Sequence, residues 1–224
     1  MKVLVIGSTG RLGSQVVARA MEAGHDVTAF ARNPEAIQAS EAGRASEPVQ
    51  AENGSRPRIV QGDVLDPASL ERGVAGRDAV ISCLGTRDRR QTNLRTDGTR
   101  KLVAAMTGAG VRRLVAFSAF GVGDSRDQLK RTSFMFGRVI LPLFLSGQFE
   151  DMERMESVIR SSNLEWVIVR PSALTDKPAT NDVKVAADRA GKAGSSIPIA
   201  DVAQFMVDSL TSDEYLRASP VIYA

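Results

Sequence analysis

The stretch Gly7-Ser8-Thr9-Gly10-Arg11-Leu12-Gly13 decides how the rest of the chain is interpreted. It directly follows the apolar run Lys2–Ile6, which predicts a buried strand, and it opens a helical pattern in which Leu12, Val16 and Ala20 share one face. Glycines at this spacing between a strand and a helix let the backbone turn tightly and approach a phosphate closely. The pattern predicts a dinucleotide site with the pyrophosphate on the helix N-terminus. A purely structural glycine turn is the alternative.

Short apolar runs and helical patterns alternate along the rest of the chain, which is typical of β-α-β units in a parallel sheet. Further strands are predicted at Asp26–Ala31, Arg58–Gln61, Ala79–Cys83, Leu114–Ser118, Trp166–Arg170 and, as an edge strand, Val221–Tyr223. Later helices are predicted after Asp66-Pro67, over 92–108, around Met152, Met155 and Ile159, and over 201–210. We therefore expect an α/β fold, a Rossmann-type doubly wound parallel sheet with helices on both faces. Residues 1–224 are expected to form a single domain.

Two segments interrupt this alternation. Residues 39–57 are rich in Ser, Glu, Gly and Pro, and they are predicted to form a flexible surface insertion. Residues 121–147 are predicted to be irregular, and they include the apolar stretch 134–145, which Pro142 interrupts. We interpret that stretch mainly as core packing. A lid over the substrate side and a subunit contact are the alternatives, because large apolar surfaces usually find a partner.

Composition limits the function classes. The 224 residues, of which 43% are hydrophobic and 25% charged, suffice for a sizeable core and are typical of a soluble globular protein. The net charge is +3 with acids and bases interspersed, so nucleic acid is not an expected partner. No run approaches the roughly 20 apolar residues that a membrane span needs. Because no targeting segment is recognised and Cys83 is the single cysteine, we expect a cytoplasmic protein. Its expected oligomeric state is a monomer or a small homo-oligomer.

The end of the second predicted strand distinguishes the two nicotinamide dinucleotides. An NAD site places a carboxylate there, whereas this chain has Arg32. A guanidinium pairs with the 2′-phosphate that a carboxylate would repel, and Arg11 would supply a second cation. We therefore expect NADP(H), with two solvated surface arginines as the alternative. Because ligands lie at the carboxyl ends of the strands, Asp63-Val64 is expected near the adenine and Leu84-Gly85-Thr86 near the nicotinamide half.

The catalytic side is less complete. Typical short-chain dehydrogenases draw a proton from a Tyr-x-x-x-Lys pair, and Tyr215 and Tyr223, the two tyrosines here, have no lysine four residues on. The single histidine, His25, is expected at the opposite end of the strands, and Cys83 is interpreted as a packing residue. Ser118 is the candidate catalytic residue, and capping of the fifth strand is its alternative role. No His, Cys and carboxylate cluster has metal-ligand spacing, so no metal is expected.

Together the residues resemble an atypical short-chain dehydrogenase/reductase of the NAD(P)H-binding, NmrA-like group, and within it the biliverdin-IXβ reductase (flavin reductase) family. The resembling stretches are Gly7–Gly13, Val27–Arg32, Gly62–Val64, Val74–Ile81, Leu84–Arg87, Ser118–Phe120 and Leu210–Tyr215. The resemblance implies NADPH bound by Gly7, Thr9, Gly10, Leu12, Arg32, Asp63, Val64, Leu84, Gly85 and Arg87. Arg11, Gly13, Thr86 and Pro171 complete the candidate cofactor site. The resemblance also implies that Ser118 lies beside the nicotinamide. The implied reaction is hydride transfer to a flavin or linear tetrapyrrole, with a proton taken from solvent.

Two positions depart from that family. Ala173 stands where the family carries a histidine that lines the site, and Met152 stands where related bacterial proteins often carry a lysine. Our first hypothesis is an NADPH-dependent reductase of a small, flat, partly apolar conjugated acceptor. The second is a redox sensor that binds the cofactor and changes partners without turnover. The third, a sugar-nucleotide epimerase or dehydratase, is disfavoured because that chemistry needs the absent tyrosine base.

Overall fold

The computed structural model describes residues 1–33, 56–85, 93–132, 146–186, 194 and 196–224. Most of the predicted insertion, residues 39–55, lies outside the described residues, as does the whole apolar stretch 134–145. The predicted cofactor residues Thr86 and Arg87 also lie outside them.

The strands of the described ranges form one large sheet and one small sheet. They are β1 Lys2–Ile6, β2 Asp26–Ala31, β3 Arg58–Gln61, β4 Ala79–Ser82, β5 Arg113–Phe117, β6 Glu165–Pro171, β7 Ala173–Thr175, β8 Lys184–Val185, β9 Ser196–Pro198 and β10 Val221–Tyr223. Eight strands form the large sheet in the order β3-β2-β1-β4-β5-β6-β10-β8, and β7 pairs with β9. In the large sheet the pairs from β3 to β10 are parallel, and β8 is antiparallel to β10.

Helices cover both faces of this sheet. The described residues form α1 Arg11–Glu22, α2 Pro67–Val74, α3 Leu94–Gly108, α4 Arg126–Thr132, α5 Ser146–Arg160 and α6 Ile199–Asp208. Helices α1 and α6 pack on the face that carries Val3 and Val5, whereas α2, α3 and α5 pack on the face that carries Leu4 and Ile6. Alternate strand residues therefore enter opposite cores, as expected for a doubly wound sheet. Among the described helices, none combines the length and the apolar character that crossing a membrane requires.

The order of the strands fixes where a ligand can bind. The chain first proceeds from β1 through β2 to β3 at one edge, and it then returns to place β4 on the other side of β1. Ile6 and Ser82, near the carboxyl ends of these two strands, are register partners. In open parallel sheets, ligands bind in the crevice where the strand order reverses in this way. The glycine turn after β1 opens into that crevice.

Two predictions about the second half of the chain are wrong. Val221–Tyr223 is not an edge strand, because β8 pairs along its outer side. Residues 121–147 are not irregular throughout, because a 3-10 turn at Gly123–Ser125 leads into α4. Strands of two or three residues, such as β8, and a seven-residue helix are too short to show a clear hydrophobic period, so sequence patterns miss them.

Candidate cofactor and acceptor site

The glycine turn packs tightly against its neighbours in the sheet and in α1. Gly7 has φ +76°, and a methyl group built on it would lie 2.5 Å from the carbonyl oxygen of Cys83. A methyl group on Gly13 would overlap the carbonyl oxygen of Gly7. The backbone N–H of Gly10 donates to that same oxygen at 3.0 Å. Only glycine allows this close approach, because a side chain at Gly13 would separate α1 from the turn and one at Gly7 would separate the turn from the end of β4.

The first turn of α1 presents backbone donors to the crevice. Gly10 is the N-cap, in an extended conformation, and no side chain caps the helix. The first N–H groups of a helix have no intrahelical acceptor, and the helix dipole makes that end positive. The buried Ser8 hydroxyl donates to the carbonyl oxygen of Phe30 at 3.1 Å and so fixes the turn against the end of β2. These features fit a pyrophosphate bound at the helix N-terminus.

The predicted adenosine side lies at the ends of β2 and β3. Arg32 is exposed, and none of the ion pairs found among the described residues involves it. The Asp63 side chain accepts from the backbone N–H of Leu65 at 2.9 Å, which shapes the turn after β3. Val64 is buried against α3, where a methyl group on Gly98 would lie 3.0 Å from it. The exposed Arg32 guanidinium is therefore available to a ligand phosphate at this edge.

Arg11 has a different environment from Arg32. Its guanidinium forms an ion pair with Asp176, just beyond β7, and both side chains are largely exposed. The pair connects the glycine turn with the segment that follows β6. Exposed ion pairs contribute little to stability, so a phosphate can compete with Asp176 for Arg11.

The predicted nicotinamide side lies at the ends of β4, β5 and β6. Leu84 is buried against Gly98 of α3, whereas Gly85 is exposed. Pro171 is buried, and its carbonyl oxygen accepts from the backbone N–H of Phe120 at 2.9 Å. The structure thus brings Leu84, Gly85 and Pro171 to the same edge of the sheet as the glycine turn.

Ser118 takes part in a buried polar network. Its side chain is fully buried, and its Oγ donates to Oε1 of Glu156 at 2.7 Å. Arg170 donates to the same carboxylate from Nε at 2.9 Å and from Nη2 at 2.5 Å, and it also pairs with Asp124. Burial alone would lower the pKa of Arg170, but the hydrogen bonds and charges of Glu156 and Asp124 raise it overall. Because the single hydroxyl proton of Ser118 is shared with Glu156, this residue is poorly suited to act as an acid.

The network includes two residues that the sequence patterns did not single out. Glu156 lies on α5 between Met152 and Ile159, on the face that those apolar residues define. Arg170 lies near the end of the apolar run that forms β6. The sequence did contain a signal for this pair. Buried charges are normally paired, so one acid on an apolar helix face and one base in a buried strand indicate a buried ion pair.

Ala173 and Met152, the two residues that depart from the resembled family, both lie in the described part of the chain. Ala173 is exposed at the start of β7. Met152 is buried in a small third core, which contains Phe120, Val122, Leu129, Phe149, Met152 and Val221. The position where relatives carry lysine is therefore occupied here by a packing residue.

Cys83 and His25 contribute no reactive group to the crevice. Burial raises the pKa of the Cys83 thiol to about 12, so the thiol is protonated at neutral pH. His25 lies beside the amino group of Met1, with 3.4 Å between the two nitrogens, at the opposite end of β1. Burial and the N-terminal charge lower its pKa. Within the described ranges, no group of three or more His, Cys, Asp or Glu side chains could hold a metal ion.

A cavity of about 540 Å³ lies at the far side of β6, beside β10. The described residues that line it are Ser125, Gln128, Arg170, Val185, Ala186, Tyr215, Ala218, Ser219, Pro220 and Val221. None of them is a predicted cofactor residue. The cavity therefore lies apart from the crevice between β1 and β4.

Comparison with known proteins shows the family of this chain. A family model described as NAD(P)H-binding matches residues 7–213, which begin at the first glycine of the turn. The chain belongs to the NAD(P)H-binding family. A nicotinamide cofactor is thus the ligand that this family shares.

Three known proteins illustrate the relationship. The (4-alkanoyl-5-oxo-2,5-dihydrofuran-3-yl)methyl phosphate reductase of Streptomyces griseus is 29% identical over 171 residues, or 75% of this chain, and the match spans 46% of that relative's length. The anaerobilin reductase ChuY of Escherichia coli O157:H7 has a TM-score of 0.75 and 20% identity, over 99% of this chain and 96% of its own. A short-chain dehydrogenase/reductase of Veillonella parvula, solved with NADP, has a TM-score of 0.76 and 16% identity, over 100% and 94%. At these identities the structural likenesses show the fold of this NAD(P)H-binding protein.

Proposed function

We propose that this protein is an NADPH-dependent reductase that transfers a hydride to a flat conjugated acceptor such as a flavin or a linear tetrapyrrole. The observation that carries the proposal is the uncapped N-terminus of α1 behind a turn in which Gly7 and Gly13 permit close backbone approach. The names of the Streptomyces relative and of ChuY, both reductases, support the reaction class.

The residues of the crevice would divide the cofactor between them. The backbone N–H groups at the start of α1 would bind the pyrophosphate, because they have no other acceptor. Arg32 would pair with the 2′-phosphate at the end of β2, which favours NADPH over NADH. Leu84 and Gly85 would contact the nicotinamide half, where the glycine leaves room for a ring.

The acceptor end would work without a protein acid. When bound, NADPH supplies the hydride. Ser118 would orient Glu156 and would not protonate the acceptor, because its hydroxyl proton is donated to Glu156. A flavin or tetrapyrrole delocalises the added electrons, so a proton from solvent completes the reduction.

Cofactor preference is tested by titrating the protein with NADPH and NADH. We expect a dissociation constant at least about tenfold lower for NADPH, since the 2′-phosphate adds a charge-assisted contact. Arg32→Ala should remove that preference and leave NADH affinity unchanged. Arg58→Ala is the matched control, because Arg58 is an exposed arginine on the neighbouring strand at its opposite end. Equal affinities of the wild type for both cofactors would overturn the NADPH assignment.

Turnover is tested by following NADPH absorbance with FMN, biliverdin and quinones as acceptors. The proposal expects oxidation of NADPH that depends on both the enzyme and the acceptor. Absence of turnover with all of these acceptors would contradict it.

A second candidate function is a cofactor-dependent redox sensor. The observation that favours it is the full burial of Ser118, whose only hydroxyl proton is donated to Glu156. A sensor would bind NADPH with the affinity described above and would recover a specific protein partner only when the cofactor is present. Robust acceptor turnover would make this function unnecessary.

A further inference from the structure

Arg95 is a buried cation, and two of its three guanidinium nitrogens have no hydrogen-bond partner among the described residues. It lies in the first turn of α3, directly after the segment that follows β4, and it is only 5% exposed. The two nitrogens are Nε and Nη1; within the described ranges, neither has an acceptor at hydrogen-bond distance. A buried guanidinium normally donates to several acceptors, because an unpaired buried charge is costly.

The position of Arg95 in the helix adds to this cost. The N-terminus of a helix is its positive end, where a cation is disfavoured. Asp151 of α5 lies nearby, but its oxygens accept from the backbone N–H groups of Arg95 and Thr96 at 3.0 Å and from the Thr96 hydroxyl at 2.6 Å. The closest approach of Asp151 to the guanidinium is 3.7 Å, to Nη1. Asp151 therefore caps α3 and leaves donors of Arg95 unused.

Burial has the expected effect on the charge. Burial lowers the pKa of Arg95, although the nearby charge of Asp151 acts in the opposite direction. An incoming anion would relieve both the missing hydrogen bonds and the unfavourable desolvation. The Asp151 carboxylate would oppose an anion only in part, because its charge is already neutralised by the helix N-terminus that it caps.

The guanidinium is directed toward the crevice. A methyl group built on Gly85 would lie 3.8 Å from Nη2 of Arg95, and Gly85 itself is exposed just beyond the end of β4. The next strand, β5, leads to Ser118. Arg95 thus lies beside the proposed nicotinamide position at the end of β4, whereas α1 and Arg32, which would bind the cofactor phosphates, lie on the β1–β2 side.

We propose that Arg95 binds an anionic group, a phosphate or a carboxylate, carried by the acceptor. This inference rests on the proposed function and narrows its substrate class to conjugated acceptors with an anionic arm. The planar guanidinium presents donors in a fork that matches two oxygens of such a group. The phosphates of the cofactor are the other possible source of the anion, and the experiment separates the two.

The experiment compares FMN with riboflavin, which share the same ring system and differ in one phosphate. Their binding to the protein saturated with NADP⁺ is measured from flavin fluorescence, so no turnover is needed. We expect the wild type to bind FMN more tightly, and Arg95→Met to weaken FMN binding about ten- to hundredfold while riboflavin binding stays unchanged. Arg95→Lys should restore part of the preference, because it returns the charge without the fork.

Thermal unfolding and a matched variant separate this role from a structural one. Arg95→Met should unfold at the same temperature as the wild type or higher, since it removes a buried charge whose hydrogen-bond donors are largely unused, while Asp151 keeps its hydrogen bonds to the start of α3. Arg113 is also buried, at the amino end of β5, and donates to the carbonyl oxygens of Leu210 and Ser212. Arg113→Met should therefore lower the unfolding temperature and leave the ratio of FMN to riboflavin affinity unchanged.

The possible results are distinct. Equal binding of FMN and riboflavin by the wild type, or an unchanged ratio in Arg95→Met, would overturn the inference. A loss of NADP⁺ affinity in Arg95→Met without a change in that ratio would also overturn it and assign Arg95 to the cofactor phosphates. FMN binding that depends on Arg95, in a protein that does not oxidise NADPH, would support the inference and contradict the reductase function alone.

Discussion

The two halves of the sheet's carboxyl edge are built in opposite ways. Around β1 and β4, the backbone forms the surface, because glycines at 7 and 13 bring turn, helix and strand into direct contact and leave N–H groups unpaired. Around β5 and β6, side chains form a buried hydrogen-bond network. In it, Ser118 and Arg170 both donate to the carboxylate of Glu156. The first half is therefore prepared for a ligand, whereas most polar groups of the second half hold the fold together.

This contrast explains why the cofactor is easier to assign than the acceptor. A cradle of backbone donors serves one recurrent chemistry, the binding of phosphates. Side-chain networks serve stability and function alike, so their presence does not identify a substrate. Arg95, beside Gly85 at the end of β4, differs from the buried Arg170, because its Nε and Nη1 donors have no acceptor among the described residues.

The largest effect is expected when the backbone cradle is filled. Gly13→Ala places a methyl group into the carbonyl oxygen of Gly7, so turn and helix must separate. We expect the free energy of unfolding to fall by about 3 kcal/mol or more, the upper end for overpacking, and NADPH binding to be lost. Chemical denaturation and cofactor titration measure the two effects.

Gly108→Ala is the control for that substitution. Gly108 lies in α3 with no atom within 4 Å of an added methyl group, so alanine should raise the free energy of unfolding by up to about 1 kcal/mol. Gly108→Ala should keep full NADPH affinity. If Gly13→Ala kept it as well, the glycine turn Gly7–Gly13 would not be the cofactor site.

A smaller effect is expected when the side-chain network is broken. Glu156→Gln removes the charge that pairs with the buried Arg170 but keeps hydrogen-bonding capacity, so we expect a loss of about 2–3 kcal/mol, below the range for a fully broken buried pair. NADPH affinity should stay unchanged. Urea unfolding and cofactor titration provide the measurements.

Glu153→Gln on the same helix is the matched control. Glu153 is half-exposed and pairs with Arg126 at 3.1 Å, so its substitution should change the stability by less than about 1 kcal/mol. Equal effects of the two substitutions would mean that the acceptor half is not stabilised by its buried network.

Asp201 extends the comparison to a loop beyond both halves. This carboxylate accepts from the N–H and hydroxyl of Thr180 and from the N–H of Asn181. Burial would raise its pKa, but these hydrogen bonds lower it below the ordinary value of 3.8. A lowered folded-state pKa means that the stabilisation is present above the ordinary value and is lost as the pH falls below it.

Asp201→Asn should therefore lower the free energy of unfolding by about 1–2 kcal/mol at pH 7, and by less once the pH falls below 3.8. Asp208→Asn, at an exposed position of the same helix, should have little effect at either pH. Urea unfolding at a series of pH values gives the comparison. A difference between wild type and Asp201→Asn that stays constant with pH would refute the assigned role.

The smallest effect is expected from Ser118→Ala. It removes one hydrogen bond to Glu156, so the loss should be about 1 kcal/mol, with NADPH affinity unchanged and turnover reduced less than about tenfold. Combining it with Glu156→Gln should give less than the sum of the two losses, because both substitutions affect the same contact. A hundredfold loss of turnover at unchanged stability would instead make Ser118 a catalytic residue.

The strands β1 to β5 were predictable from the sequence because each is a local apolar run bounded by polar or turn residues. β1, β2 and β3 have the bounds that the apolar runs predict, and β4 and β5 differ by a single residue at their ends. The chain also carries its own signal for the cradle, since the glycines lie within seven consecutive residues. Short strands such as β8 and the helix α4 were not predictable, because tertiary pairing rather than periodicity defines them.

The sequence by itself determined the Rossmann-type fold and the position of the glycine turn at the start of α1, because strand, glycine turn and helix follow one another directly. Only the tertiary structure decided the use of the charged residues. Glu156 and Arg170 are 14 positions apart and form one buried pair, whereas Arg95 is brought against Gly85 with donors left over. Whether a buried charge stabilises the fold or awaits a ligand depends on which groups surround it, and that is set by how distant segments pack together.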